Sequence, residues 1–274
     1  YNTTKEQKFL LDNLKMCENA LHFLFKYLEN LFGEKEEEDL VKKEMIEKVI
    51  EEGRQKDQIY KHDSYDLWEM NEGVHLYSIA SIYGALKAML GIYEQVKGKY
   101  ENNRLKLEQI SKNIAKINDE INNIKKFVEE NLYNENTKVL KRNTRDEKMD
   151  VSMMGAIYPF ELMGENEKKV LNTVEKINLT LRTYTGGYLR FEQDSYIEGV
   201  CPWPVTTLWM AMYYLKAGNK QKAQECFNFV TNGASALGFI PEQVDNNTMK
   251  PSWIIGLGWS HAMYIITLAE MLKK

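Results

Sequence analysis

The chain has 274 residues, 43% hydrophobic and 28% charged, enough for a sizeable core in one large or two small domains. Lys and Arg are offset by acids to a formal charge of -4, which excludes the electrostatic footprint of a nucleic-acid binder, and no apolar run approaches bilayer-spanning length. Cys17, Cys201 and Cys226 are odd in number and widely spaced, so neither a disulfide framework nor a zinc site is expected, and the compartment is read as reducing and cytoplasmic.

In chain order the periodicity predicts helices almost throughout. From about Lys5 to Leu31, Phe9, Leu10, Leu14, Cys17, Leu21, Leu24, Phe25 and Leu28 form one apolar stripe. A charged run from Gly33 to Asp39 breaks it, and a strongly charged surface helix, Asp39 to Gly53, is expected as an insertion near 33–60. Val74 to Tyr93 is apolar on most sides and reads as a core helix. Lys97 to Leu132 carries apolar residues near heptad spacing and reads as one long outer helix. After the polar, turn-prone stretch Asn131 to Lys148, helices are predicted at Ser152–Tyr158, Glu165–Leu181, Pro204–Lys216, Gln221–Ala236 and Trp259–Leu272. No segment sustains period-two alternation, so strands are expected to be few and short. Long loops alternate with short turns such as Lys216-Ala217-Gly218-Asn219, as in a toroid of inner and outer helices; an open helical solenoid is the alternative, without a fixed-period repeat to favour it.

Two carboxylates stand out in loops rich in Trp, Gly and Pro. Glu69 lies in Asp66-Leu67-Trp68-Glu69, and Glu242 in Gly238-Phe239-Ile240-Pro241-Glu242-Gln243, with Trp253 and Trp259 close behind. Four of the five Trp (Trp68, Trp203, Trp253, Trp259) fall in or beside helix-joining segments. Two carboxyls that can flank a bond, beside Trp faces that pack on sugar C–H surfaces, are the equipment of glycoside hydrolysis. Each residue also has a plainer reading. Glu69 would serve as a helix N-terminal acid, Glu242 as a surface acid, and Arg190 as a salt-bridge partner of Asp194. Trp209 reads as core and Trp203 as loop rim. His75 and His261, at helix starts, suit hydrogen bonds to loop carbonyls rather than a metal.

Tyr65-Asp66-Leu67-Trp68-Glu69, Asp150-Val151-Ser152-Met153-Met154-Gly155, Gly186-Gly187-Tyr188-Leu189-Arg190-Phe191 running into Asp194-Ser195-Tyr196 and Trp203-Pro204, and Gly238-Phe239-Ile240-Pro241-Glu242-Gln243 with Gly258-Trp259-Ser260-His261-Ala262 occur in one order. In that order the chain resembles the glucoamylase family, glycoside hydrolase family fifteen, from Asp63 to Lys274. The resemblance implies an all-α (α/α)6 toroid of the six-hairpin type. Glu69 then corresponds to the general acid and Glu242 to the general base, Arg190 to the arginine that binds sugar hydroxyls, and Trp68 to a pocket tryptophan, with Trp203 also expected at the substrate. Met70 stands where the family often has a second acid, a contact that Glu72 would partly replace.

The resemblance further implies an inverting, exo-acting enzyme that releases β-D-glucose from non-reducing ends of α-1,4-glucans, with no cofactor or metal. Its partner would be an α-glucan oligosaccharide, not nucleic acid or membrane. Relatives acting on trehalose or α-1,6-glucans, and a non-catalytic glycan-binding or regulatory relative, are the alternatives. Residues 1–274 are expected to be the C-terminal two-thirds of the catalytic domain, beginning near its fifth helix. Upstream helices, and a possible β-sandwich domain, would lie outside the chain. A partner segment or chain would complete the barrel, covering apolar faces near Leu10 to Leu28.

Overall fold

A computed structural model describes residues 6–32, 63–197 and 200–273. The helix expected at Asp39–Gly53 and the insertion near 33–60 lie outside the described residues. The chain falls into two compact units, Tyr1–Val74 with Ala85–Val128, and His75–Gly84 with Glu129–Lys274.

In the first unit, α1 (Gln7–Phe32) buries Leu14, Leu21, Phe25 and Leu28, one stripe at three-, four- and seven-residue steps. Residues of α2 (Leu76–Val96) and α3 (Arg104–Asn131) share this unit. Lys106 pairs with Glu18, Lys116 with Glu29, and the Phe32 and Phe127 rings lie 5.5 Å apart. The three contacts advance in the same direction on both helices, so α1 and α3 run parallel. Leu14, Leu21, Phe25 and Leu28 of the stripe are therefore covered within this unit, where absent helices were expected to cover them, while Phe9 at its start is exposed. Apolar exposure remains on α1 at Phe9, Met16 and Phe23, and on the C-terminal elements at Trp253, Ile254, Ile255, Ile265 and Ile266.

The segment expected as one helix from Lys97 is two. A 3-10 turn, Lys97–Tyr100, precedes α3, because Asn103 accepts a hydrogen bond from the Lys106 amide (3.1 Å) and starts a new helix. The helical stretch Leu76–Tyr100 is also long and apolar enough to cross a membrane, with mean hydropathy 1.2, which corrects the reading that no run approaches that length. Leu76, Ile79, Leu86 and Tyr93 on it are fully buried, the pattern of a core helix.

A polar network sits inside the first unit. Lys106 Nζ donates to both oxygens of the buried Glu18 (2.8 and 2.7 Å), Tyr93 donates to Glu18 Oε1 (3.2 Å), and Asn113 Nδ2 donates to the Tyr93 oxygen (2.6 Å). Burial pushes the Tyr93 phenol up to about 12, the Asn113 hydrogen bond opposing and the Glu18 charge adding to it.

The second unit is built on α5 (Pro204–Lys216), buried on nearly every side. Pro204 at the first position supplies the fixed φ of a helix start. The chain reverses at Gly218 (φ 74) and enters α6 (Lys220–Asn232), capped by Asn219 Oδ1 on the Lys222 amide at 3.0 Å. α4 (Lys168–Thr180), α7 (Gly258–Met271), the first part of α2 and the end of α3 are the other helical parts of this unit among the described residues. Trp203, Leu208, Met212, Phe227, Val230 and Met263 share one core cluster. The stretch expected as a helix at Ser152–Tyr158 is a fully buried 3-10 segment, Val151–Ala156, started by the Asp150 carboxylate on the Ser152 amide (2.7 Å).

Strands are few and short among the described residues, as expected. They form three antiparallel pairs: β1 (Ser64–Tyr65) with β2 (Glu72–Gly73), β3 (Tyr133–Asn134) with β4 (Val139–Leu140), and β5 (Pro241–Val244) with β6 (Pro251–Ile255). The first and last carry the two singled-out carboxylates.

Replacing Lys106 by Met leaves the Glu18 carboxylate buried without its cation and is expected to destabilise the protein by about 3 kcal/mol in urea unfolding, with Glu18→Gln on the same background recovering most of it.

Candidate active site

Glu69 stands in the turn between β1 and β2, not at a helix start, so the helix-dipole reading does not apply. The turn is shaped by buried Asp66. Its Oδ1 accepts from the Trp68 and Met70 amides (3.1 and 2.9 Å), its Oδ2 from Asn71 Nδ2 (2.6 Å), and its backbone carbonyl from the Glu69 amide (3.0 Å). Wrapped this way, Glu69 takes φ 59, a left-handed conformation that a non-glycine residue adopts at a cost, while its side chain is exposed. Trp68 is buried beside it, and Glu72 faces outward from β2.

Glu242 lies in β5 rather than in a loop. Pro241 pairs with Ile255 and Gln243 with Ser252, so one residue of β5 opposes two of β6, Trp253 and Ile254. This is a β-bulge, and Trp253 absorbs the extra residue at φ 59. Bulges bend the ladder and re-aim side chains, here at Glu242. The first turn of α7 clamps the same strand: Ser260 Oγ donates to the Pro241 carbonyl (3.0 Å), and His261 Nε2 accepts from the Ile240 amide (3.0 Å). His261 thus takes an amide, not the loop carbonyl expected of it, which puts its ring proton on Nδ1. His75 is buried at the start of α2 and bridges to the backbone of Asn143.

Arg190 is 4% exposed and holds Asp194 through two bonds, Nε to Oδ2 and Nη2 to Oδ1, both 2.8 Å. Its guanidinium carbon lies 4.4 Å from the Trp203 ring centroid, 4.8 Å from Tyr196 and 5.2 Å from Phe191. Trp203, expected at a loop rim, is 4% exposed, because it is both the residue before α5 and a wall of this aromatic cage. Trp209 is only partly buried, between Tyr77 and Trp259. Val244 N donates to the Pro202 carbonyl (2.9 Å) and Gln243 Nε2 to that of Tyr196 (3.4 Å), which ties β5 to the loop that carries the cage. Close packing there requires Gly187, where a Cβ would stand 2.3 Å from the Phe229 ring.

Sequence reasoning had Tyr196 in a family string without a role for it, and missed the cage over Arg190 and Arg142, whose guanidinium lies 5.3 Å from the Phe191 ring that Arg190 also approaches. The spacing Arg142 to Asp146 and Arg190 to Asp194, each an ion pair four residues apart, was the available signal. Trp68, Glu69 and Glu72 belong to the first unit, and Arg190, Trp203 and Glu242 to the second.

Electrostatics single out Glu242. Its Oε2 is buried and has no hydrogen-bond partner among the described residues. Burial raises its pKa above the ordinary carboxylate value, with the Arg190 charge opposing. Desolvation makes a carboxylate a stronger base than it is in water, and the locked cation tempers that gain.

The chain matches the Glycosyl hydrolases family 15 over residues 20–237 and belongs to that family. A glycosyl hydrolase of Methanocaldococcus jannaschii whose own activity is uncharacterised is 31% identical over 219 residues, 75% of this chain and 34% of that protein. Trehalase 1 of Sulfolobus acidocaldarius is 26% identical over 113 residues, 41% of this chain and 20% of the trehalase. Among solved structures, a glycosidase variant in complex with glucose matches with a TM-score of 0.62 at 20% identity, over 78% of this chain and 56% of that one. The glucoamylase of Hypocrea jecorina matches at 0.60 and 14% identity, over 78% and 44%. These likenesses show the (α/α)6 fold class. The chain spans about a third of the length of the curated Methanocaldococcus relative and about half that of the solved glycosidase.

Because folding raises the Glu242 pKa, the folded state holds this proton more tightly than the unfolded one. The resulting stability is complete below the unfolded pKa and is lost as pH rises through the folded one. Glu242→Gln is therefore expected to melt above the parent protein near neutral pH, with the gap closing as pH falls through the raised folded pKa and closed below the unfolded value of about 4.3. Thermal unfolding across a pH series measures it.

Proposed function

We propose that this chain supplies the catalytic carboxyls of an inverting, exo-acting glycosidase that releases β-D-glucose from non-reducing ends of α-1,4-glucans. Glu69 is the general acid and Glu242 the general base. The observation that carries the reading is the Glu242 carboxylate, desolvated and without a partner on Oε2, on a bulged strand tied to the Arg190 cage, in a chain of this family.

The chemistry follows from what an acetal needs. The leaving oxygen must receive a proton, here from Glu69 on its exposed turn, and a water must be deprotonated as it attacks the anomeric carbon from the opposite face. Burial strengthens Glu242 as a base, and the Arg190 charge keeps it ionised nearer neutrality. Arg190 is held by Asp194, so its guanidinium plane is fixed before substrate arrives, and in this reading it contacts sugar hydroxyls with little loss of side-chain entropy. Trp68, Glu72 and Trp203 are the further substrate contacts of this reading. The compartment proposed is the cytoplasm.

The trehalase likeness supports a second reading, in which the same carboxyls cleave the α-linkage of trehalose. Glucose release from maltose, maltooligosaccharides, isomaltose and trehalose by the protein that carries this chain separates the two.

Glu69→Gln and Glu242→Gln are each expected to lower turnover by about 10²–10⁴-fold with substrate binding nearly intact. Near-normal turnover of Glu69→Gln would remove the acid from the mechanism. Attack by water opposite the leaving group also makes β-glucose the first product, and proton NMR of fresh product reads the anomer; initial α-glucose would mean a double displacement.

A further inference from the structure

The second unit also has an open cleft of about 390 Å³, away from Glu242, with Phe229 and Met249 in its lining and Arg182, Tyr184, Asn228 and Asn232 around it. Its exposed aromatic member is unusual. Tyr184 is 75% exposed, yet its hydroxyl donates to Asn247 Oδ1 at 2.8 Å. Next to it, Thr185 Oγ1 donates to Asn246 Oδ1 at 2.7 Å. The turn after α4 is thus laced by two side-chain bonds to the turn after β5, and an exposed ring is held in place before anything stacks on it.

The polar walls suit a neutral, hydroxyl-rich ligand. Asn228 and Asn232 lie four residues apart on α6, so both carboxamides share one helix face. Arg182 and Glu225 pair at 3.2 Å, so the cleft offers donors and acceptors without a net charge. An aromatic face with carboxamides around it is the chemistry that recognises sugar rings, C–H surface on the ring and hydroxyls on the amides. Gly186 (φ 97), where an added Cβ would meet nothing within 4 Å, keeps the rim open. Asn246 lies four residues of mostly extended chain beyond Glu242, roughly 13 Å.

We infer that this cleft is a second, non-catalytic glycan-binding site that holds a stretch of α-glucan chain. The choice of α-glucan rests on the substrate proposed above; the site itself rests on the cleft. It would retain a polymer while its chain ends are processed elsewhere on the protein.

Native electrophoresis through gels containing glycogen tests it, using the protein that carries this chain with Glu242→Gln to stop digestion. Tyr184→Ala and Asn232→Ala, both at exposed positions, are each expected to weaken retardation about tenfold, and Tyr184→Phe, which keeps the ring, to retain most of it. In the otherwise unchanged enzyme the same substitutions should leave turnover of short oligosaccharides unaltered. No retardation of the Glu242→Gln parent, or equal retardation of Tyr184→Ala, would overturn the inference. If no short substrate is cleaved while retardation still depends on Tyr184, the catalytic reading fails and the cleft stands.

Discussion

The buried ion pair of Arg190 and Asp194 is the interaction on which the arrangement of the second unit's site depends. Two charges removed from water are costly, and the cost is met only by close geometry. Here both carboxylate oxygens are engaged at 2.8 Å and the cation is surrounded by Trp203, Tyr196 and Phe191. Asp194 also accepts the Tyr196 amide at 3.1 Å, so the pair fixes the loop as well as the guanidinium. From that loop, Pro202 and Tyr196 hold β5 through Val244 and Gln243, and β5 holds Glu242. Removing either charge would strand the other in an apolar cage and loosen the strand that carries the candidate base.

A helical domain has few rigid ways to present a carboxylate from a loop, and both of this chain's candidates use the same device. Each lies on a short antiparallel hairpin, and each hairpin stores a non-glycine residue at φ 59, Glu69 itself in one and Trp253 opposite Glu242 in the other. Such conformations persist where the surroundings over-determine them. Asp66 supplies that determination in the first hairpin with side-chain hydrogen bonds to three neighbouring residues. Ser260 and His261 supply it in the second, by gripping the chain just before Glu242.

The first unit shows the same logic applied to stability. Glu18, buried on α1, is matched by Lys106 and Tyr93, and the Lys116 ammonium lies 4.7 Å from the Phe25 ring. Apolar packing alone would let parallel helices slide; charged contacts spaced along α1 and α3 fix their register.

Helices were legible because apolar spacing follows the helical period whatever the helix packs against, and the observed bounds of α5, Pro204–Lys216, coincide with those expected. The break before α3 escaped because a capping Asn within a charged run carries no periodic signal. Glu69, Glu242 and Arg190 could be singled out from residue type, neighbouring Trp and family order. Their environments could not. The bulge at Glu242 depends on which residue of β6 pairs with which of β5, and the cage around Arg190 on three aromatics that meet only when the chain folds back between Phe191 and Trp203. Trp203 and the Leu14, Leu21, Phe25 and Leu28 face of α1 were misjudged for the same reason. A sequence states that a side chain is apolar, whereas burial is decided by the partner that tertiary packing brings to it.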